Sequence, residues 1–223
     1  MEITSIDRSE VLRYMGCGGT NPDENLLSLM NEAEEKLIQA AVPRYTYLKL
    51  GITLQPDGVH AEGTSLVMSG NDIRSHLEGC SEAVLLCATL SENTDKLIRI
   101  AQLRDMTEAL VLDAMSSAAV EQLCSKLETE LHTLYPEKYF TWRFSPGYGD
   151  FPLEAQRSFI SVLNANKRIG LYLTDSLMLT PLKSVTAVIG LSDSPLPQKK
   201  RGCVTCNMRE RCLFRKGGGH CSY

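Results

Sequence analysis

The sequence predicts an α+β protein: a mainly antiparallel, twisted sheet with flanking helices, followed by a small cysteine-rich C-terminal tail. Three observations lead there. Helix-like and strand-like segments do not alternate regularly, which argues against a doubly wound parallel sheet. A Pro-Asp-Gly turn separates two strand-like runs and marks a hairpin. Four of the eight cysteines crowd into the last 21 residues, beyond a stretch of linker composition.

The elements follow in order. "SIDRSEVLRYMG" offers Asp7 and Ser9 as caps and stops at glycine, which predicts a short helix. "NPDENLLSLMNEAEEKLIQAAV" places Leu26, Leu29, Met30, Ala33 and Leu37 on one helical stripe opposite an acidic face. "YTYLKLGITL" and "VHAEGTSLVM" flank "QPDG" as the arms of the hairpin, and "SGNDIRSHLEG" reads as a short capped helix closed by glycine. "EAVLLCATL" is a buried strand. The periodic segment from about Asp95 to Leu134 reads as two helices or one broken helix, with "LRDMTEA" as the break. "YPEKYFTWRFSPGYGDFP" is a long irregular loop, "LEAQRSFISVLNANKRIG" a helix ending near Gly170, and "LYLTDSLMLTP" and "KSVTAVIGL" two closing strands. Residues 1–192 thus form the body, 193–202 a linker and 203–223 the tail.

Composition sets the class. At 223 residues and 43% hydrophobic content the chain can bury one sizeable core. It has no apolar run of the roughly 18–20 residues that a membrane span needs, and its N-terminus lacks a signal-peptide pattern. The expected location is cytoplasmic, with no membrane partner. The formal charge of −4 conceals an asymmetry: residues 199–223 hold seven basic residues against one acid, so the tail carries +6 and the rest −10.

"RFSPGYGDFPLEAQ", residues 143–156, is the most constrained stretch. Pro146 fixes its own backbone and holds Ser145 extended. Gly147 and Gly149 permit positive φ angles or a close backbone approach. Arg143 brings a planar donor fork suited to a carboxylate, and Tyr148 an aromatic face with a hydroxyl. Together they suit a ligand with a carboxylate and a flat ring. The same features also describe a rigid turn capping the next helix, with Arg143 paired to an acid.

The stretch "R-F-S-P-G-Y" resembles the Arg-x-x-x-Gly-Tyr signature of the activation domain of cobalamin-dependent methionine synthase. Three further segments match in order: "SIDRSEVLRYMG" with Asp7, "DAMSSAAVEQLCSKLETEL" with Glu121, and "LTDSLMLTPLKSV". The resemblance spans residues 1–192 and implies a free-standing activation domain. Such a domain binds S-adenosylmethionine and presents its methyl group to the cobalamin of a separate cobalamin-binding domain, in a methionine synthase or another corrinoid protein. One electron, from a flavodoxin or ferredoxin donor, and this methyl group together restore methylcobalamin after accidental oxidation. The chain would then be the methyl-donor-binding component of a methyltransferase system. By the resemblance, Arg143 holds the ligand carboxylate, backbone at Ser145 and Gly147 meets the nucleoside or amino-acid part, and Tyr148 lines the pocket. Asp7 and Glu121 meet the ammonium or ribose hydroxyls. Asp7 serves equally as a helix cap on its own residues. Two departures stand out: the family's aromatic run after the Ser-Val segment is "TAVIGLS" here, and the loop continues as "GDFPLEAQ". His60, His76, His132 and His220 have no paired spacing and read as surface or packing residues.

In the tail, Cys203, Cys206, Cys212 and Cys221 have the spacing C-x2-C-x5-C-x8-C. Four thiolates so arranged suit tetrahedral zinc or an iron–sulfur cluster, and the resemblance, which calls for an electron, favours the cluster. The neighbouring basic residues also suit docking to an acidic corrinoid or flavodoxin-like protein. Nucleic acid is not expected as a partner. A competing reading makes the chain a non-catalytic iron–sulfur or zinc module for electron transfer or interaction on the same fold.

Overall fold

The computed structural model describes residues 2–197 and Glu210. The four tail cysteines and the second half of the linker lie outside the described residues.

The chain runs α1 (Arg8–Tyr14), α2 (Glu24–Ala40), β1 (Arg44–Gln55), β2 (Gly58–Ala61), β3 (Val67–Met68), α3 (Asn71–His76) and β4 (Glu82–Thr89). It continues through α4 (Glu92–Gln102), α5 (Met106–Leu134), β5 (Tyr139–Phe140), α6 (Ala155–Val162), α7 (Ala165–Ile169), β6 (Tyr172–Leu173), β7 (Leu179–Thr180) and β8 (Ser184–Ser192). Six strands form one sheet in the order β3-β2-β1-β4-β8-β5, with every pairing antiparallel. The expected α+β class with an antiparallel sheet and helices is therefore present.

Helices cover both faces of that sheet. Val84 and Leu86 of β4 and Ala187, Ile189 and Leu191 of β8 face α5, where they meet Leu127 and Leu131. The alternate residues Ala83, Leu85 and Cys87, with Val188, face the layer of α3, α6 and α7. Side chains alternate across a strand, so a strand covered on both faces must be apolar throughout. That is why "EAVLLCATL" is an unbroken apolar run. A third cluster unites α1, α2, α4 and α5 around Val11, Met30, Leu37, Met115 and Leu123.

Three helices start where local capping chemistry says they should. Asp7, Asp23 and Asp105 each sit at an N-cap, with a side-chain oxygen on first-turn amides. Asp105 also ends the break between α4 and α5, at the expected "LRDMTEA".

Four expectations need correction. The segment after α5 is not irregular throughout: Tyr139 and Phe140 pair with Ser192 and Leu191, and Phe144 exchanges both backbone bonds with Val188. It lies along β8 as the sheet's edge. "LEAQRSFISVLNANKRIG" is two helices, divided at Asn164 in the left-handed conformation (φ 50°, ψ 40°), which asparagine tolerates better than most residues. "LYLTDSLMLTP" is a small hairpin of its own, β6 with β7, apart from the main sheet. Finally, α3 has no cap from its own N-terminal flank, where Gly70 stands. Asp150 supplies that cap from the loop.

Gly190, inside β8, shows how tightly the edge segment is seated. A Cβ there would lie 2.6 Å from Cys80 Sγ and 2.9 Å from Leu77 Cδ2. Only glycine lets β8 pass this close to the α3 layer while its carbonyl receives the Thr141 amide at 2.9 Å.

Candidate functional site

Arg143 and α5 form the centre of the candidate site. Residues 121, 124 and 128 recur at i, i+3 and i+7, so Glu121, Cys124 and Glu128 share one stripe of the helix. Phe144 turns towards the α3 layer, and alternation turns Arg143 the other way, onto that stripe. Its Nη2 lies 3.0 Å from Glu121 Oε2, its Nη1 3.5 Å from the Glu121 carbonyl oxygen, and its Nε 2.8 Å from Glu128 Oε1. The guanidinium side chain is 17% exposed, against 28% for Glu128 and 38% for Glu121. Burial works against the charge on Arg143, but Cys124 and the two carboxylates outweigh it and raise its pKa. Burial pushes the Cys124 thiol up to about 12, leaving it a neutral packing group.

Two further candidate residues come from α1 and its cap, Tyr14 and Asp7. Asp7 caps that helix: its Oδ1 accepts from Ser9 N at 2.8 Å, Ser9 Oγ at 2.6 Å and Glu10 N at 3.3 Å. The Ser9 hydroxyl bond, more than the two backbone bonds, holds the Asp7 carboxyl below its ordinary range. The Asp7 amide donates to Gln122 Oε1 at 3.1 Å, and Gln122 Nε2 donates to the Ser5 carbonyl at 3.2 Å. This tie sets the Asp7 backbone against α5 at Gln122. Tyr14, at the other end of α1, is half-exposed. Burial raises its hydroxyl pKa and the negative charge of Glu121 adds to the rise.

The tip of the loop is a separate, internally bonded turn. Tyr148 N donates to the Ser145 carbonyl (3.1 Å), Phe151 N to the Tyr148 carbonyl (3.0 Å) and Gly147 N to the Phe151 carbonyl (2.8 Å). Gly147 adopts φ 93° and Gly149 φ 56°, so both glycines are used for the positive φ the sequence suggested. The Gly147 N–H is committed to Phe151, and the residue is exposed, with a Cβ there lying 3.2 Å from Leu153 Cδ1. Tyr148 is 57% exposed and packs edge-on against Phe144, with ring centroids 6.1 Å apart. The structure thus brings Arg143 and Glu121 together, sets the Asp7 backbone against α5 at Gln122 without a contact to either, and joins Ser145, Gly147 and Tyr148 in one turn. The two groups are linked through the two-residue step from Arg143 to Ser145.

That turn is fastened from below. Asp150 accepts the amides of Asn71 (2.7 Å) and Asp72 (2.8 Å), and Asp72 Oδ2 accepts the Asp150 amide (3.0 Å). A Cβ on Gly149 would run into the Asp72 carboxylate. On the other side, His76 Nε2 lies 2.9 Å from the Trp142 carbonyl oxygen, and its ring stacks on Phe144 with centroids 4.8 Å apart. His76, read as a packing residue, is one, but what it packs is the segment that carries Arg143.

The backbone amides at α3 lower the pKa of Asp150 below its ordinary value. A depressed carboxyl stabilises above its unfolded pKa, near 4, and loses that contribution as pH falls through the native value. The fastening of the loop is therefore expected to persist at pH 5 and above and to release on acidification below about pH 4. Acid titration followed by Trp142 fluorescence should show this transition in the native chain. Asp150→Asn should remove it.

The sequence reading did not include Glu128, Cys124, Gln122 or Tyr14. The i, i+3, i+7 spacing of Glu121, Cys124 and Glu128 was an available signal. Nothing local pointed to Tyr14 or Gln122, which reach the site through the packing of α1 on α5. The turn residue Lys183 also falls on α5, pairing with Asp113 Oδ1 at 2.8 Å and Ser117 Oγ at 3.0 Å. Among the described residues no group of three or more His, Cys, Asp or Glu is placed to hold a metal ion, and no helix is long and apolar enough to cross a membrane.

Comparison with known proteins agrees with this architecture. Residues 95–194 match the family model described as the vitamin B12 dependent methionine synthase activation domain. No curated protein sequence matches the chain. Among solved structures, the crystal structure of the MetH reactivation domain bound to AdoHcy superposes with a TM-score of 0.65 at 15% identity, covering 86% of this chain and 76% of that one. The match over residues 95–194 and the shared fold make the chain similar to the methionine synthase activation domain.

Proposed function

We propose that this activation-domain-like chain binds S-adenosylmethionine and supports reductive remethylation of the cobalamin of a separate methionine synthase or corrinoid protein. One observation carries the reading: Arg143 and Glu121 meet at 3.0 Å on a fold shared with a reactivation domain solved with AdoHcy. A guanidinium fork suits the carboxylate of the ligand's amino-acid end, and a carboxylate suits its ammonium. In the free protein the two groups satisfy each other. Ligand binding exchanges that pair for two new ones, so charge stays compensated throughout.

The remaining assignments follow the resemblance. Asp7, tied to α5 through Gln122, takes the role of meeting an ammonium or ribose hydroxyl that the resemblance implies. The backbone at Ser145 and Gly147 and the exposed Tyr148 ring border the nucleoside. No acid–base group is required, because the chain's task is to hold the methyl donor in line with an attacking atom, which is catalysis by proximity and orientation. The cobalt that accepts the methyl group resides on the partner and supplies the nucleophile. The electron comes from a flavodoxin or ferredoxin donor.

The tail enters as a metal-binding module of Cys203, Cys206, Cys212 and Cys221, holding an iron–sulfur cluster or zinc. Its role and that of the body separate in one experiment. A chain ending at Leu196 should bind S-adenosylmethionine in calorimetry as the full chain does, while anaerobically purified full chain alone should carry iron and sulfide. Stoichiometric zinc without iron would defeat an electron-relay role for the tail. Absence of S-adenosylmethionine binding by both chains would favour the alternative, a non-catalytic metal-bearing module on the same fold.

A further inference from the structure

Half of β1 has an open edge. On one side β4 pairs with it from Arg44 to Gly51, but on the other β2 begins only opposite Ile52. The direction of each backbone group follows from the register. Leu90 N donates to the Lys183 carbonyl, so even-numbered residues of β4 turn towards β8 and odd-numbered ones towards β1. Ala83, Leu85, Cys87 and Thr89 therefore bond to Leu50, Leu48, Thr46 and Arg44. The residues between those, Tyr45, Tyr47 and Lys49, aim their N–H and C=O groups away from β4. Gly51 is next in that series, and its carbonyl receives the Glu62 amide at 2.9 Å. Among the described residues no group does the same for Tyr45, Tyr47 or Lys49. Such a row of unpaired donors and acceptors is a template for one more strand.

The side chains along this edge say what kind of strand fits. Tyr45, Tyr47 and Lys49 lie on the α5 face. Tyr45 donates to Glu130 Oε2 at 3.0 Å, and Lys49 pairs with Glu82 beside the Tyr135 ring, so this face is aromatic with its charges engaged. The other face is basic, because α7 packs on β1 there. Arg168 Nη1 lies 3.3 Å from Thr46 Oγ1, Lys167 precedes it in the last turn, and Arg44 Nη1 lies 3.9 Å from where a Cβ on Gly170 would stand. All three cations are exposed, and none forms an ion pair among the described residues. Basic residues at a helix C-terminus answer its dipole, but Arg44 belongs to the strand. Glu62 folds over Gly51 at the far end of the edge. We propose that the open edge of β1 docks an extended acidic segment of a partner protein. The segment adds a strand beside Arg44–Leu50, sets its acidic side chains against Arg44, Lys167 and Arg168, and lays its apolar ones over Tyr45 and Tyr47. Alternation of acid and apolar residue lets one strand meet both faces at once. In the strand order β4 and β8 separate this edge from the segment that carries Arg143, so the docking does not depend on the ligand reading.

The test titrates the full chain with a short capped peptide alternating glutamate and valine, and follows amide hydrogen exchange by NMR. The amides of Tyr45, Tyr47 and Lys49 are expected to exchange quickly in the unbound chain and at least about tenfold more slowly with the peptide. Those of Thr46 and Leu48, already bonded to β4, are expected to change little. A fully N-methylated copy of the peptide keeps the side chains but has no backbone donors, and it should not bind. A lysine–valine peptide should bind about tenfold more weakly or worse, as should the glutamate peptide to the double variant Arg44→Glu, Arg168→Glu. Added salt should weaken the native pairing, because the cations are exposed. Should the double variant misfold, the three peptides on the unaltered chain still decide the matter. Equal binding of the glutamate and lysine peptides would overturn the proposal, as would binding without protection at Tyr45, Tyr47 and Lys49. Protection of those amides that grows with protein concentration in the absence of peptide would overturn it too, since the occupant would then be a second copy of this chain.

Discussion

Arg143→Ala is expected to weaken S-adenosylmethionine binding by about 2–3 kcal/mol, or roughly 30- to 150-fold, the usual loss when a desolvated charged hydrogen-bonding group is removed. The guanidinium is mostly buried and spans two carboxylates of α5. Its removal deletes the ligand's carboxylate partner and also the cation that Glu121 and Glu128 share. The two losses can be separated. Decarboxylated S-adenosylmethionine has no carboxylate to lose, so the variant should bind it with little change or better, now that Glu121 is released. Arg143→Lys restores the charge but not the planar fork and should recover only part of the affinity. Unchanged calorimetric affinity in Arg143→Ala would remove this residue from the carboxylate role.

The largest effect on stability is expected at Phe151. Its side chain is 1% exposed, its ring lies 6.2 Å from Phe144 and 6.3 Å from Phe159, and its carbonyl receives the Gly147 amide. Phe151 is thus the point where the loop enters the core beneath α6. Phe151→Ala should cost about 3–5 kcal/mol through lost burial and the cavity left behind. For a chain of this size that corresponds to a fall in Tm on the order of 10 °C. Calorimetric or circular-dichroism melting would measure it, with Phe151→Leu as the milder comparison. A fall of only a degree or two would mean that the loop is not seated in the core. Because the same ring supports Phe144, which directs Arg143 towards α5, the variant should also lose ligand affinity at temperatures where it remains folded.

What the sequence made legible, and what it did not, follows the range of the interactions. Asp7, Asp23 and Asp105 cap helices two or three residues downstream, so their helices could be read directly. The fully buried β4 announced itself as an apolar run. The cap on α3 could not be read, because Asp150 supplies it from 79 residues away. The edge pairing of Tyr139 and Phe140 on β8 crosses half a hundred residues and leaves no local trace. The break at Asn164 escaped for a different reason: the flanking apolar spacing continues through it, and only the backbone angle reveals the turn. At the site, resemblance pointed to Arg143 and Glu121 as separate ligand contacts. The structure adds that they contact each other, with Glu128 as a third member. The physical reading of the loop had left two possibilities open, a ligand holder or a turn with Arg143 paired to an acid. The free protein has the ion pair of the second, between the groups the first requires.

The two outermost strands of the main sheet, β3 and β5, are only two residues long. Between them lie β4 and β8, runs with high β-propensity, little charge and no proline, the composition that assembles into cross-β stacks when left uncovered. Position confines that hazard. β4 is paired on both sides along its length and β8 on its β5 side over its C-terminal half, and a two-residue edge gives a neighbouring molecule too little backbone to template on. Solubility of the folded chain therefore depends less on surface charge than on the order of its strands. It is a property of the native topology that lasts only as long as the sheet stays closed.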